Sequence, residues 1–64
     1  MKEPKFPKLE GVLASRGISY TYIADAINMD AQAFRRRMNG EVEFNYPEIV
    51  SICHFLDCEF SELF

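Results

Sequence analysis

Apolar residues recur along this chain at helical spacing, in short stretches separated by turn residues. Leu9, Val12, Leu13 and the stem of Arg16 follow an i, i+3, i+4, i+7 pattern, and Gly17 supplies a left-handed stop, which predicts a helix over 6–16. Ser19 is an N-cap residue, Ile23, Ala24 and Ile27 share one face, and Asn28 is an acceptable terminator, so a short helix is expected over 20–27. Ala24 is expected to face a neighbouring helix closely, because a larger side chain would push the two axes apart. Met29 should be buried in the following turn. Asp30 caps a third helix over 31–38, with Phe34 and Met38 on its inner face and Asn39-Gly40 at its end.

Residues 41–45 read as a loop that folds Val42 and Phe44 back onto the core. Asn45 followed by Glu48 is close to a capping box, and Pro47 falls in the first turn, where its missing N–H is tolerated. Ile49, Ile52, Cys53 and Leu56 then stripe a fourth helix over 46–56. Phe60, Leu63 and Phe64 point to a last helical turn. The expected fold class is all-α, with four to five short helices in one domain over 1–64 and residues 1–6 able to act as a flexible arm.

Size bounds what such a domain can do. Sixty-four residues bury about 60% of their unfolded surface, enough for one modest core and too little for a separate substrate domain. The composition, 48% apolar and 27% charged, is that of a globular chain rather than a disordered one. No apolar run approaches the roughly 18–20 residues of a membrane span. The opening Met1-Lys2-Glu3-Pro4-Lys5-Phe6-Pro7-Lys8 lacks a signal-peptide core, so the expected location is the cytoplasm. Cys53 and Cys58 read as reduced thiols, at least one of them in the core. A metal cluster of Cys53, His54 and Cys58 has no evident fourth ligand, and adjacent helical residues diverge by about 100°. No cofactor or small-molecule substrate is expected.

The net charge of −3 argues against nucleic acid until its distribution is considered. Residues 1–40 hold all seven basic residues against four acids, leaving +3; residues 41–64 hold six acids and no Lys or Arg, leaving −6. The chain is a dipole whose basic end can meet phosphate while the acidic end faces away.

The second and third predicted helices with their tight turn match a helix-turn-helix. The stretch Ile18-Ser19-Tyr20-Thr21-Tyr22-Ile23-Ala24-Asp25-Ala26-Ile27-Asn28-Met29-Asp30-Ala31-Gln32-Ala33-Phe34 resembles the core of the Cro/C1-type (XRE) helix-turn-helix family. Ile18, Ser19, Ile23-Ala24, Ile27, Met29 and Phe34 fit that family's apolar, Ser, apolar-Ala, turn and anchor positions. Phe34-Arg35-Arg36-Arg37-Met38-Asn39-Gly40 and Phe55-Leu56-Asp57-Cys58-Glu59-Phe60-Ser61-Glu62-Leu63-Phe64 also resemble its small phage-type members. Asn28 stands where Gly is usual and Tyr20 where Gln is frequent. The resemblance covers roughly residues 9–64. It implies a lambda-repressor-like DNA-binding domain that acts on double-stranded DNA as a transcriptional regulator.

Helical geometry assigns the reading face. With Phe34 inward, Arg36 lies about 200° away and Gln32 about 160° the other way, so the two are i, i+4 neighbours on the outer face. Gln suits adenine and Arg suits guanine in the major groove. Ala31 can touch a thymine methyl, and Arg35 lies beside the groove-facing line. Tyr20, Asn39, the Gly40 N–H and Tyr46 are the expected phosphate contacts. Arg37 sits at the core edge and reads as structural, paired with Glu41 or Glu48. A run of three arginines is by itself usually a solvated helix face, and Lys2, Lys5 and Lys8 read as a loose tail more readily than as a DNA arm.

Catalysis has no support: there is one His, no Gly-rich phosphate loop and no Ser/His/Asp set that can be placed together. A helix this small reads few base pairs, so a homodimer is expected, through Phe44, Phe55, Phe60, Leu63 and Phe64. The rival expectation is a protein-interaction module of the same fold, of antitoxin or anti-repressor type. Its acidic half and aromatic patch would be the working surface, with weak or no DNA binding.

Overall fold

The computed structural model describes residues 5–64, and within them five helices follow one another: α1 (Pro7–Ser15), α2 (Tyr20–Ala26), α3 (Ala31–Met38), α4 (Tyr46–Leu56) and α5 (Phe60–Leu63). The predicted helices are all present, with α1 one residue shorter than expected at each end and α2 one residue shorter at its end, because Phe6, Arg16 and Ile27 are cap residues. Each helix contributes to one core: Leu9 and Leu13, Ile23 and Ala24, Phe34 and Met38, Ile52 and Leu56, and Leu63. α2 packs on α3, while α5 packs on both α1 and α4. No helix among the described residues is long and apolar enough to cross a membrane.

Side-chain caps start three of the helices. Ser19 Oγ accepts the Tyr22 N–H at 3.1 Å, and Asp30 Oδ2 accepts those of Gln32 and Ala33 at 3.0 and 3.3 Å. Asn45 and Glu48 close the expected capping box at the head of α4, each accepting the other's backbone N–H at 3.0 Å. Such caps each contribute about 1 kcal/mol.

The helix ends are more uniform than the sequence pattern implied. α1, α2, α3 and α4 all stop on the same six-residue closure, with a left-handed residue at Gly17, Asn28, Gly40 and Asp57. The amide after each reaches back five residues: Ile18 to Leu13, Met29 to Ala24, Glu41 to Arg36 and Cys58 to Cys53, at 2.7–3.1 Å. This is the Schellman arrangement. Asn28 was expected in this role; Asp57, the less obvious left-handed residue, was not.

Long side chains fasten elements that the core alone does not join. Arg16 Nη1 donates to the Leu56 carbonyl at 2.7 Å, so its stem flanks the core as expected and its head closes α1 onto the end of α4. Lys8 Nζ donates to the Ser61 carbonyl at 3.2 Å. The reading of Lys8 as part of a loose tail is therefore corrected. Phe6 is half-buried against Phe44 and Phe64, at ring-centroid distances of 5.4 and 5.2 Å, so it belongs to the folded domain and not to an arm. Lys2 lies outside the described residues. Met29 is half-buried rather than fully buried. Cys53 and Cys58 are both free and half-buried, so neither is a full core residue.

The Asn28 closure sets the turn between α2 and α3. Asn28→Ala is expected to lower stability by about 1–2 kcal/mol, because an alanine adopts φ 61° at that cost. For a domain this size each kcal/mol is about 4–8 °C in melting temperature. Asn28→Gly should melt close to the wild type. Thermal unfolding followed by circular dichroism checks both, and equal melting of the Ala and Gly variants would show that the left-handed turn carries no such strain.

Candidate nucleic-acid interface

α3 is an eight-residue helix with one buried edge, and the rest of its surface is polar. Phe34 and Met38 point into the core, and Tyr20 meets Phe34 edge-on at 5.3 Å. Gln32, Arg35, Arg36 and Asn39 are exposed, while Ala31, Ala33 and Arg37 are half-buried. The Asp30 cap closes the first turn of α3 by holding the backbone amides of Gln32 and Ala33. All three arginines lie in the last turn, at the end of the helix dipole that favours positive charge.

The three arginines divide by their partners. Arg37 Nε lies 2.9 Å from Glu48 Oε1, with the side chains only 18% and 17% exposed. Its Nη1 also donates to the Ala33 carbonyl at 3.1 Å. This pair is the salt bridge among the described residues, and it ties α3 to the head of α4. Of the two partners expected for Arg37, Glu48 is the one found. Arg35 and Arg36 are exposed and form no hydrogen bond or salt bridge through their side chains with another described residue. Gln32 is likewise exposed.

The flanking positions correct three expectations. The Tyr20 hydroxyl donates to Glu10 Oε2 on α1, so its proton is not available to a phosphate. Burial, the bond to Glu10 and the Glu10 charge push this phenol up to about 12, and the nearby Arg35 charge only partly offsets them. The Gly40 N–H donates to the Arg37 carbonyl at 3.1 Å as part of the helix closure, so it is committed within the fold. The Lys5 stem lies over Gly40, where an added Cβ would come within 3.3 Å of Lys5 Cδ. Leu63 is completely buried and forms part of the core, so it has no place on a pairing surface. Asn39 remains exposed at the end of α3, its amide 3.5 Å from Glu41 Oε2, and Tyr46 stands 79% exposed at the start of α4.

The aromatic positions also separate. Phe55 is exposed on α4 beside Tyr22, at 6.1 Å between ring centroids. Phe60 stacks on Phe64 at 5.2 Å, and Phe64 meets Phe44 at 5.7 Å. Phe44, Phe60 and Phe64 therefore form one cluster, with Phe6, and Phe55 belongs to another. Sequence spacing did not show the Glu10–Tyr20 bond, because it joins two helices whose relative placement depends on the whole core. Among the described residues no group of three or more His, Cys, Asp or Glu side chains is placed to hold a metal ion. Burial, and then the neighbouring Cys58, push the Cys53 thiol up, away from the thiolate that ligation requires.

An all-helical core that presents the second helix of a helix-turn-helix, with free arginines on its outer face, defines a helix-turn-helix domain of DNA-binding type. The family model of the Cro/C1-type HTH DNA-binding domain matches residues 8–64, and the chain belongs to that family. No curated protein matches the chain.

The Tyr20–Glu10 bond has a signature at alkaline pH. The neutral phenol is favoured in the fold, so its contribution to stability is complete below pH 10. It is lost as pH rises from there through about 12. Phenolate absorbance should show a last step near pH 12 that disappears in Tyr20→Phe, and stability above pH 10 should fall more steeply in the wild type. Persistence of that late step in Tyr20→Phe would assign it to another tyrosine.

Proposed function

We propose that this chain is a sequence-specific DNA-binding transcriptional regulator of repressor type, acting in the cytoplasm as a homodimer. The observation that carries the reading is the division of the arginines. Arg37 is held by Glu48, whereas Arg35 and Arg36 are exposed beside Gln32 on the outer face of a helix anchored by Phe34. α3 enters the major groove, with Arg36 on guanine and Gln32 on adenine. Ala31, half-buried at the first turn, contacts a thymine methyl, and Arg35 supports from the side of the groove. Asn39 and Tyr46 hold the phosphate backbone. The acidic segment 41–64 lowers non-specific affinity, which leaves base contacts a larger share of the binding energy.

Two copies meet through the aromatic cluster of Phe44, Phe60 and Phe64. The cleft beside these rings is lined by Lys5 at one point and Glu43 at another. A two-fold axis brings unlike charges of this kind within reach of each other, as a self-complementary surface requires. Half-sites would then lie about 34–36 Å apart on one face of the DNA.

Selection from a randomised duplex library at near-physiological salt, with wild type and Arg36→Ala in parallel, tests the reading. The wild type should enrich a palindrome. Arg36→Ala should fold normally and lose the preference at its base pair, worth about 1–3 kcal/mol per half-site. Binding should weaken with salt by about −0.9 in the log–log slope per phosphate neutralised. A folded wild type that enriches no sequence would rule out sequence-specific regulation.

A further inference from the structure

The surface of α4 and α5 holds a feature of which the proposed DNA contact uses only Tyr46, at the head of α4. Between α4 and α5 lies an open groove of about 1090 Å³, with Ile49, Val50, Cys53 and Phe60 among its apolar walls. Val50 is 46% and Phe60 57% exposed. None of the lining comes from α2 or α3, so the groove is built independently of the reading helix. Asp57, Glu59 and Glu62 stand around it. Glu62 accepts the Glu59 backbone N–H at 3.3 Å, and none of the three is paired with a cation among the described residues. The other titratable groups facing the groove are His54, Tyr46 and the two thiols, and residues 41–64 contain no Lys or Arg.

Charge selects the occupant. A second copy placed here about a two-fold axis would bring one set of Asp57, Glu59 and Glu62 carboxylates to a surface carrying the same three, and like charges across an interface cost several kcal/mol. The neighbouring cleft, which shares Ile49 and Phe60 with this groove, carries both Lys5 and Glu43 and lacks that conflict. The two faces are thus suited to different guests. A groove lined by both apolar side chains and carboxylates suits the helix-in-groove mode, in which apolar side chains at i, i+3 and i+4 seat in the groove and flanking cations meet the carboxylates.

We infer that the α4–α5 groove docks an amphipathic, Lys- or Arg-bearing helical segment of another protein. The apolar face of that segment rests on Val50 and Cys53, which the proposed dimer contact leaves free, and its cations meet Asp57, Glu59 and Glu62. This gives the domain a partner-binding face besides the DNA-reading one, and it does not depend on DNA binding.

The test is selection from a displayed library of random peptides about four helical turns long, with the full chain as bait. The best peptide is then synthesised and titrated into isotope-labelled protein, with amide shifts followed by NMR. The expected peptides are net positive with apolar residues at helical spacing, and the shifts should cluster at Val50 and Cys53. Val50→Lys places a cation at an exposed helical position and should weaken the peptide about tenfold or more. Asp57→Asn keeps a residue that tolerates the left-handed turn, removes one carboxylate charge and should reduce the salt dependence of binding. Both variants should keep wild-type helicity and operator binding. Enrichment of neutral or acidic peptides, absence of enrichment, shifts centred elsewhere, or full affinity in both variants would overturn the inference. So would sedimentation showing that Val50→Lys breaks a homodimer, because a second copy would then be the occupant.

Discussion

The closure at each helix end is the constraint on which the rest of this small structure depends. Five helices in one short chain require four sharp changes of direction, and each leaves carbonyls without partners at the end of a helix. The left-handed closures at Gly17, Asn28, Gly40 and Asp57 satisfy those carbonyls from within the backbone. The core can then be built from few side chains, because direction is already set by local hydrogen bonds. Phe34 becomes fully buried at the centre because α2 and α3 are turned onto it by the Asn28 closure. The same economy has a functional cost at Gly40. An amide that would suit a phosphate is the one that completes the end of α3.

Once direction is set, arginine partners decide which surface is scaffold and which is free. Arg16 and Arg37 are anchored, one to the carbonyl of Leu56 and the other to Glu48 and the carbonyl of Ala33. Both have their planar heads held in defined geometry, and both connect helices across 40 and 11 positions of sequence. Arg35 and Arg36 have no such anchors among the described residues, and their charge is exposed in a chain that is acidic overall. A net charge of −3 therefore hides a locally basic helix face. The acidic C-terminal segment complements this arrangement by placing its carboxylates around a different groove.

Local features were legible in the sequence to the extent that they are settled within one turn. The caps at Ser19, Asp30 and Asn45, the α4 bounds and the inward Phe34 and Met38 follow from residue type and helical period, and the structure has them all. Arg37 was recognisable as structural because it lies only about 60° from Phe34 on the helix wheel. Val42, expected against the core with Phe44, is instead exposed in the loop, and the other misjudged positions depend on how helices meet. Leu63 was placed on the pairing surface with the aromatic C-terminal end, yet packing of α5 on α1 buries it completely. Tyr20 looked free because Glu10 lies on another helix. Phe55 was grouped with Phe60 by sequence proximity, but α4 ends between them and directs the two rings to different neighbours.

Ala24 ties the turn to the reading helix in a further way. It is fully buried on α2, and its carbonyl receives the Met29 amide that completes the turn into α3. An eight-residue helix is about 12 Å long, so displacing one end by about 1 Å swings its axis by roughly 5°. The interior thus works as the fulcrum of a lever whose long arm carries Gln32 and Arg36. A methyl group added or removed at the fulcrum changes the angle at which those two side chains are presented, without altering either of them. If Gln32 and Arg36 read bases as proposed, selectivity in this domain can drift through its packing alone, and two chains with identical residues at those positions need not prefer the same sequence.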